Sequence, residues 1–432
     1  FVARLLSEPY RESLWALIAG LEHSPPMITV ENSLRASTGQ TPSRPVGPPR
    51  RYTLDGVSFR PAQLARRPLQ PEEPVDTRVV IGPAARRPMH LDIPVLVGAM
   101  AYGTALARDV VLAIAAGASR AGTAYNAGNA PWFDRLRRAC SRLVVQVTGT
   151  PMVAPPHAVR QADAVEVRVG RGAWAGAGEV VDPGSLAPAV RRAVSPSHPL
   201  VVPAGALAPG PAGEQLRGLV QHLRELAGGA PVGVKLAAGH DLEADLDVAL
   251  GAGVDFVAVD GREGGTHGSP PILQDDFGIP TLHAVCRARR HLDRRGAGRQ
   301  VSLLVGGGLL TPGDCLKCLA LGADAVYLGT AVLFAAAHLQ SLMALPWEPA
   351  MALVSAGSRL GRRFRRSEGE RTVARFLQAV VAEMAVGARA LGRRALREVG
   401  RDDLVALDEA TATVTGLPLA ASCPLTDDPN VL

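Results

Sequence analysis

Two glycine turns stand out as places where a backbone could hold an anion. Val305-Gly306-Gly307-Gly308-Leu309 ends a short apolar run, and Thr311-Pro312-Gly313-Asp314 then opens a helical stretch. Glycine lets main-chain N–H groups approach a charged oxygen closely, and the orphan N–H groups of a helix start favour negative charge. Further on, Tyr327-Leu328-Gly329-Thr330-Ala331 repeats the arrangement. One triple glycine would mark only a tight turn. Two such turns, each between an apolar run and a helix, suit a phosphate group.

The basic residues single out one more position. Of 46 lysines and arginines, only Lys235 and Lys317 are lysine. Lys235 lies in Val232-Gly233-Val234-Lys235-Leu236, where strand alternation sends it to the side opposite Val234 and Leu236. A buried ammonium needs a counter-charge or a strong acceptor. The pyrimidine edge of a flavin, which gains negative charge on reduction, would serve. So would an internal ion pair with Asp260 or Glu166.

Other polar groups fall at the ends of apolar runs: Gly98-Ala99-Met100, Gln146, Glu166-Val167-Arg168 and Asp260-Gly261. The Gln146 amide suits a ring carbonyl or ring N–H. Gly264-Gly265-Thr266-His267-Gly268-Ser269-Pro270 reads as a flexible loop, with His267 either a proton donor or solvated. Cys315 and Cys318 form a lone CxxC with no second pair for a zinc site, inside a helical stretch; no metal is expected there.

What positions these residues is an alternation of short apolar runs with Ala/Leu-rich helical stretches. The runs 93–98, 122–126, 143–148, 164–170, 232–237, 256–261, 302–307 and 325–330 each suit a buried parallel strand. Helices fit between most of them, at 242–252, 281–292 and 311–321. Eight strands over this length predict an α/β fold, a (β/α)₈ TIM barrel, with its phosphate site at strands seven and eight. A doubly wound sheet would prefer its glycine loop after the first strand, and here the cluster comes late. A ninth run, 199–203, reads as an excursion between strands four and five. The division expected is an N-terminal arm with helices and a Pro/Arg-rich stretch (1–90), the barrel (91–345) and a C-terminal helical extension (346–432). Helices are expected at 8–21, near Asn32, at 369–392 and at 402–411. The apolar face of 369–392 would pack on the barrel or on a second copy of the chain, a homo-oligomer contact.

Composition narrows the partners. The net charge is +6, but the arginines are dispersed and no aromatic residues interleave with them. No nucleic-acid surface is expected. Five scattered cysteines give no disulfide framework, so a reducing, cytoplasmic setting is the expectation. No apolar run has the length to span a bilayer, and no signal pattern opens the chain at Phe1.

Together these residues resemble the FMN-binding synthase domain of the glutamate synthase family, particularly its free-standing relatives. The motifs that carry the resemblance are Gly98-Ala99-Met100, Ala121-Gly122-Thr123-Ala124, Val165–Gly170, Val234-Lys235, Gly265–Pro270, Gly306–Leu309 with Gly313-Asp314, and Leu319–Ala331. The resemblance implies reductive amination of 2-oxoglutarate by hydride transfer from reduced FMN. It also implies that Gly98, Ala99, Met100, Gln146, Lys235, Gly306, Gly307, Gly308, Gly329 and Thr330 surround the FMN. Lys235 would act in catalysis, and Asn126, Arg168, Arg171 and His267 would face the substrate, a 2-oxo acid or amino acid.

Departures from the family pattern are specific. The full-length synthases carry a Cys-rich segment after the last strand, whereas 337–345 has no cysteine. No iron–sulfur cluster is therefore expected, and an electron-donor protein and an ammonia-supplying protein would be separate partners. The family has an acidic residue after strand two, where this chain has Asn126-Ala127-Gly128-Asn129. After strand four the family has Gln then Gly, where this chain has Gly170-Arg171-Gly172-Ala173-Trp174. Arg171 could still grip a carboxylate. An FMN enzyme of altered specificity and a flavin-binding subunit with little activity are the alternatives. The inosine-monophosphate dehydrogenase type needs a nucleophilic cysteine after strand six, and 261–270 has none.

Overall fold

A computed structural model describes residues 26–42, 53–103, 105–128, 132–148, 154–181, 200–202, 212–265, 268–344, 353–356 and 358–422. Eight parallel strands close into a barrel: β1 (Val95–Val97), β2 (Ala124–Asn126), β3 (Arg142–Val147), β4 (Ala164–Arg168), β5 (Val232–Ala237), β6 (Phe256–Asp260), β7 (Ser302–Gly306) and β8 (Ala325–Leu328). β8 pairs β1, so the sheet has no edge. Every expected run supplies one strand.

Alternation divides the strand residues between two cores. Val95, Val97, Val145, Val165, Val234, Val257, Val305 and Val326 face outward and join the helices in one apolar cluster. Leu96, Ala124, Val144, Ala164, Phe256, Ala258, Leu304, Ala325 and Tyr327 fill the inside. Gly233 leaves room for the Phe256 ring; a Cβ there would lie 2.4 Å from it. The interior cluster continues into Ile81, Met89 and Leu91. These belong to an antiparallel pair, Val79–Ile81 with Met89–Leu91. The Gly82 N–H donates to Ser302 Oγ at the start of β7 (3.0 Å), so this pair stoppers the N-terminal end of the barrel.

Among the helices, Leu242–Gly251, Thr281–Arg294 and Pro312–Ala320 agree with the sequence reading to within two residues. Pro26–Thr38 is the helix expected near Asn32. The helix expected at 8–21 lies outside the described residues, as do positions 199 and 203. Within that run Leu200–Val202 pairs antiparallel with Glu179–Val181, outside the barrel, as an excursion. Helix Arg366–Ala390 packs on helix Arg108–Arg120, where Gly117 meets Val373 with no room for a Cβ.

One expectation fails. The stretch 402–411 is not a helix: a 3₁₀ turn Arg401–Asp403 leads into strand Leu404–Ala406, and the helix Glu409–Thr415 follows. Leu404–Ala406 pairs antiparallel with Val57–Phe59, a partner from the far end of the chain that no local pattern announces. Buried Asp403 strengthens the join, accepting from Arg66 Nη1, from Arg393 and from the Gly400 N–H.

Candidate functional site

The turn after β7 requires its glycines. Gly307 has φ +116° and Gly308 +65°. A Cβ on Gly307 would lie 2.7 Å from Thr281 Oγ1 and 3.1 Å from the Gly261 carbonyl oxygen. A Cβ on Gly306 would lie 2.7 Å from Asp260 Oδ1. The helix that follows, however, caps itself. The Thr311 side chain accepts from the Asp314 N–H, and Asp314 Oδ2 accepts from the N–H groups of Leu310 and Thr311, each at 3.0 Å. A carboxylate already sits at that helix start, held by the Leu310 and Thr311 N–H groups.

The second turn is different. Gly329 begins helix Thr330–Ala344, its carbonyl accepting from the Leu333 N–H (3.0 Å). Its φ lies outside the left-handed range, and among the described residues a Cβ there would meet nothing within 4 Å. Neither strain nor crowding asks for glycine, so open space beside a helix N-terminus is what the residue provides. Gly98 lies against this end of β8, donating to the Leu328 carbonyl (2.9 Å). Ala99 and Met100 follow, partly exposed; the Met100 carbonyl accepts from Tyr125 Oη at 2.9 Å. These contacts set the two glycine turns and the 98–100 loop around one mouth at the C-terminal end of the barrel.

Below that mouth, inward-facing polar residues form a ring. Glu166 Oε1 accepts from Asn126 Nδ2 (2.8 Å) and Gln146 Nε2 (2.7 Å). Asn126 Nδ2 also lies 3.3 Å from Tyr327 Oη, and Asn126 Oδ1 accepts from the Gly128 N–H at 3.0 Å. Burial, then the Glu166 charge, hold the Tyr327 phenol well above its ordinary pKa, so it stays protonated. Lys235 points inward, as alternation requires. Its Nζ lies 3.1 Å from Asp260 Oδ2 and 5.2 Å from the Tyr327 ring centroid. The internal ion pair is thus realised with Asp260, while Glu166 is held by the two amides.

Arg168 ends β4 on the inner side and is 8% exposed. Arg171 follows, its guanidinium 5.0 Å over the Trp174 ring. The 3₁₀ turn Gly172–Trp174 is tied to the loop after β6: the Ala173 N–H donates to the Gly264 carbonyl (2.7 Å), and Ser269 Oγ donates to the Ala173 carbonyl. Ala175 closes the turn at φ +48°, strained for a residue with a Cβ. His267 lies outside the described residues, as does Asn129. Asn126 is fully buried, its amide spent on the ring.

Sequence reasoning placed Gly306–Gly308, Gly329, Thr330, Gln146 and Lys235 at this end of the barrel. It missed Tyr327 as a ring member, and it noted Glu166 without seeing it as the hub. Their signal was an inward register in otherwise apolar strands. The other lysine is a structural tie, Lys317 Nζ donating to the Leu54 carbonyl at 2.9 Å. Cys315 and Cys318 are buried, and burial pushes the Cys315 thiol up to about 12. Among the described residues no helix is long and apolar enough to cross a membrane.

Comparison with known proteins agrees with this architecture. A mutant flavocytochrome b2 with benzoylformate superimposes with a TM-score of 0.54 at 16% identity, over 87% of this chain and 82% of that one, a likeness of fold. An archaeal-type NADPH glutamate synthase of Thermotoga maritima is 34% identical over 271 residues, 61% of this chain and 52% of that protein. The chain therefore spans about half the length of this relative. A glutamate synthase large subunit-like protein of Rhizobium meliloti is 31% identical over 418 residues, 90% of this chain and 92% of that one. The model of the conserved region in glutamate synthase matches residues 58–394, and the chain belongs to the glutamate synthase family.

Proposed function

We propose that the chain is an FMN-dependent oxidoreductase that reductively aminates 2-oxoglutarate or a related 2-oxo acid. The observation that carries this is Gly329: an unforced glycine facing open space among the described residues at a helix start, beside the left-handed Gly307–Gly308 turn and the inward Lys235. Main-chain N–H groups of Gly307, Gly308 and Thr330 would hold the phosphate, with Gly306 giving the close approach. Gly98, Ala99, Met100 and Gln146 would line the ring, with Lys235 at its pyrimidine edge. Bound there, reduced FMN would supply the hydride. Arg168 and Arg171 would hold the carboxylates of the oxo acid, and Asn126, buried with its amide bonded to Glu166, would support the polar ring rather than touch substrate. Residues 91–345 would form the catalytic unit, with 1–90 and 346–432 supporting it. Electrons and ammonia would come from separate proteins, without an iron–sulfur cluster in this chain.

A second reading, an FMN enzyme of different specificity, is favoured by the Arg171–Trp174 stack, which adds bulk where the carboxylate would sit. Purified protein loaded with FMN, reduced with dithionite without oxygen, distinguishes the two. Reoxidation by 2-oxoglutarate plus ammonia is expected on the first reading. Reoxidation only by another oxo acid selects the second, and a colourless protein that takes up no FMN overturns both.

A further inference from the structure

The Lys235–Asp260 pair is built unevenly. Both side chains are buried, at 7% and 5% exposure, with Nζ and Oδ2 3.1 Å apart. Asp260 is wedged. Its Oδ1 lies where a Gly306 Cβ would come within 2.7 Å, its Cγ lies 3.1 Å from where a Gly264 Cβ would sit, and its carbonyl accepts from the Ala238 N–H at 2.8 Å. Lys235 instead carries its charge on a flexible four-carbon stem. The Tyr327 ring face also lies close to its Nζ, and buried Arg168 is its register partner on β4. Glu166, the nearest rival carboxylate by register, spends Oε1 on two amides; its buried Oε2 makes no hydrogen bond among the described residues, and the ammonium pairs with Asp260 instead. The fixed member of the pair is the acid and the adjustable one is the base.

Resting on the flavin reading above, we propose that Asp260 is a positioning residue. It holds the Lys235 ammonium inside the barrel and neutralises it, and so sets how strongly the site favours reduced over oxidised flavin. Charges this deeply buried act on a nearby ring at low effective dielectric, so the sum of the pair matters more than either member. The wild-type sum is zero. Asp260→Asn leaves one positive charge, Lys235→Met leaves one negative charge, and the double variant returns to zero.

The test is the midpoint potential of bound FMN, measured by dye-coupled reductive titration of the four proteins. Asp260→Asn is expected to raise the preference for reduced flavin about tenfold, which is ~30 mV for a two-electron couple. Lys235→Met is expected to lower it by a similar factor, and the double variant to lie near wild type. A purely structural role would shift both single variants the same way. If Asp260→Asn fails to fold, Lys235→Met and the double variant still decide: the double must lie above Lys235→Met. A potential unmoved or lowered in Asp260→Asn, or a double variant no closer to wild type than Lys235→Met, overturns the proposal while the flavin reading stands. Wild-type protein that takes up no FMN overturns both.

Discussion

At the scale of residues, one carboxylate organises the interior. Glu166 sets both amide orientations around it, since Asn126 and Gln146 each turn an NH₂ group toward the same oxygen. Replacing Glu166 by Leu would strand two buried amide donors, at roughly 1–3 kcal/mol each where no other acceptor is reached. Glu166→Leu is thus expected to lose about 2–4 kcal/mol in urea unfolding. Glu166→Gln keeps an acceptor oxygen and should lose about 1 kcal/mol or less. Equal losses in the two variants would show that the amides do not depend on this oxygen. Alternation along β5 was enough to aim Lys235 inward, and composition was enough to mark it. Its partner was narrowed to two acids and no further, because choosing between them needs the side-chain contacts of neighbouring strands. The hub was harder still to read, since Asn126 and Tyr327 meet across the barrel from positions 201 residues apart.

At the scale of elements, the two glycine turns looked equivalent in sequence and are not. Thr311 and Asp314 close a capping box on the first helix, whereas Gly329 leaves the second open. The reading of residues 311–314 as an anion seat followed from the glycines and the helix start. It overlooked that Thr311 and Asp314 take up the N–H groups of Leu310, Thr311 and Asp314 and set a carboxylate at that helix start. Two substitutions separate the roles. Thr311→Ala removes the cap and should cost about 1 kcal/mol of stability, with FMN affinity unchanged. Gly329→Ala should leave the melting temperature close to wild type, since among the described residues a Cβ there meets nothing within 4 Å, yet weaken FMN binding about tenfold by intruding on the seat. Fluorescence titration with FMN and a thermal melt on each variant give the answer, and reversed outcomes would relocate the phosphate to the first helix. The barrel strands were legible as elements because each is a short apolar run buried on both faces. Strand Leu404–Ala406 was not, because its partner Val57–Phe59 lies at the other end of the sequence.

At the scale of the whole molecule, the N- and C-terminal flanks are clasped together by that strand pair and by Asp403. Burial alone would raise the Asp403 pKa. Hydrogen bonds from Arg393, the Gly400 N–H and Arg66 outweigh it and hold the carboxyl below its ordinary value of 3.8. A carboxyl with a depressed folded-state pKa binds protons more weakly folded than unfolded. Its stabilisation is therefore complete above the ordinary carboxylate range and is lost as pH falls through the folded value. Asp403→Asn is expected to cost about 2–3 kcal/mol at neutral pH and to flatten the fall in stability below pH ~4. Equilibrium unfolding at stepped pH measures both. A variant as acid-sensitive as the wild type would assign the acid limb to other carboxylates.

The hairpin that stoppers the barrel base has a kinetic consequence. Ile81, Met89 and Leu91 close one end of the interior with apolar packing, which leaves the end bearing Gly307, Gly329 and Lys235 as the doorway. On the proposed function, the agent that reduces the flavin and the acid that reoxidises it must then take turns at the same threshold. Initial-rate plots are expected to give parallel lines, with each reactant in excess holding the other out; intersecting lines would mean that both can be inside at once.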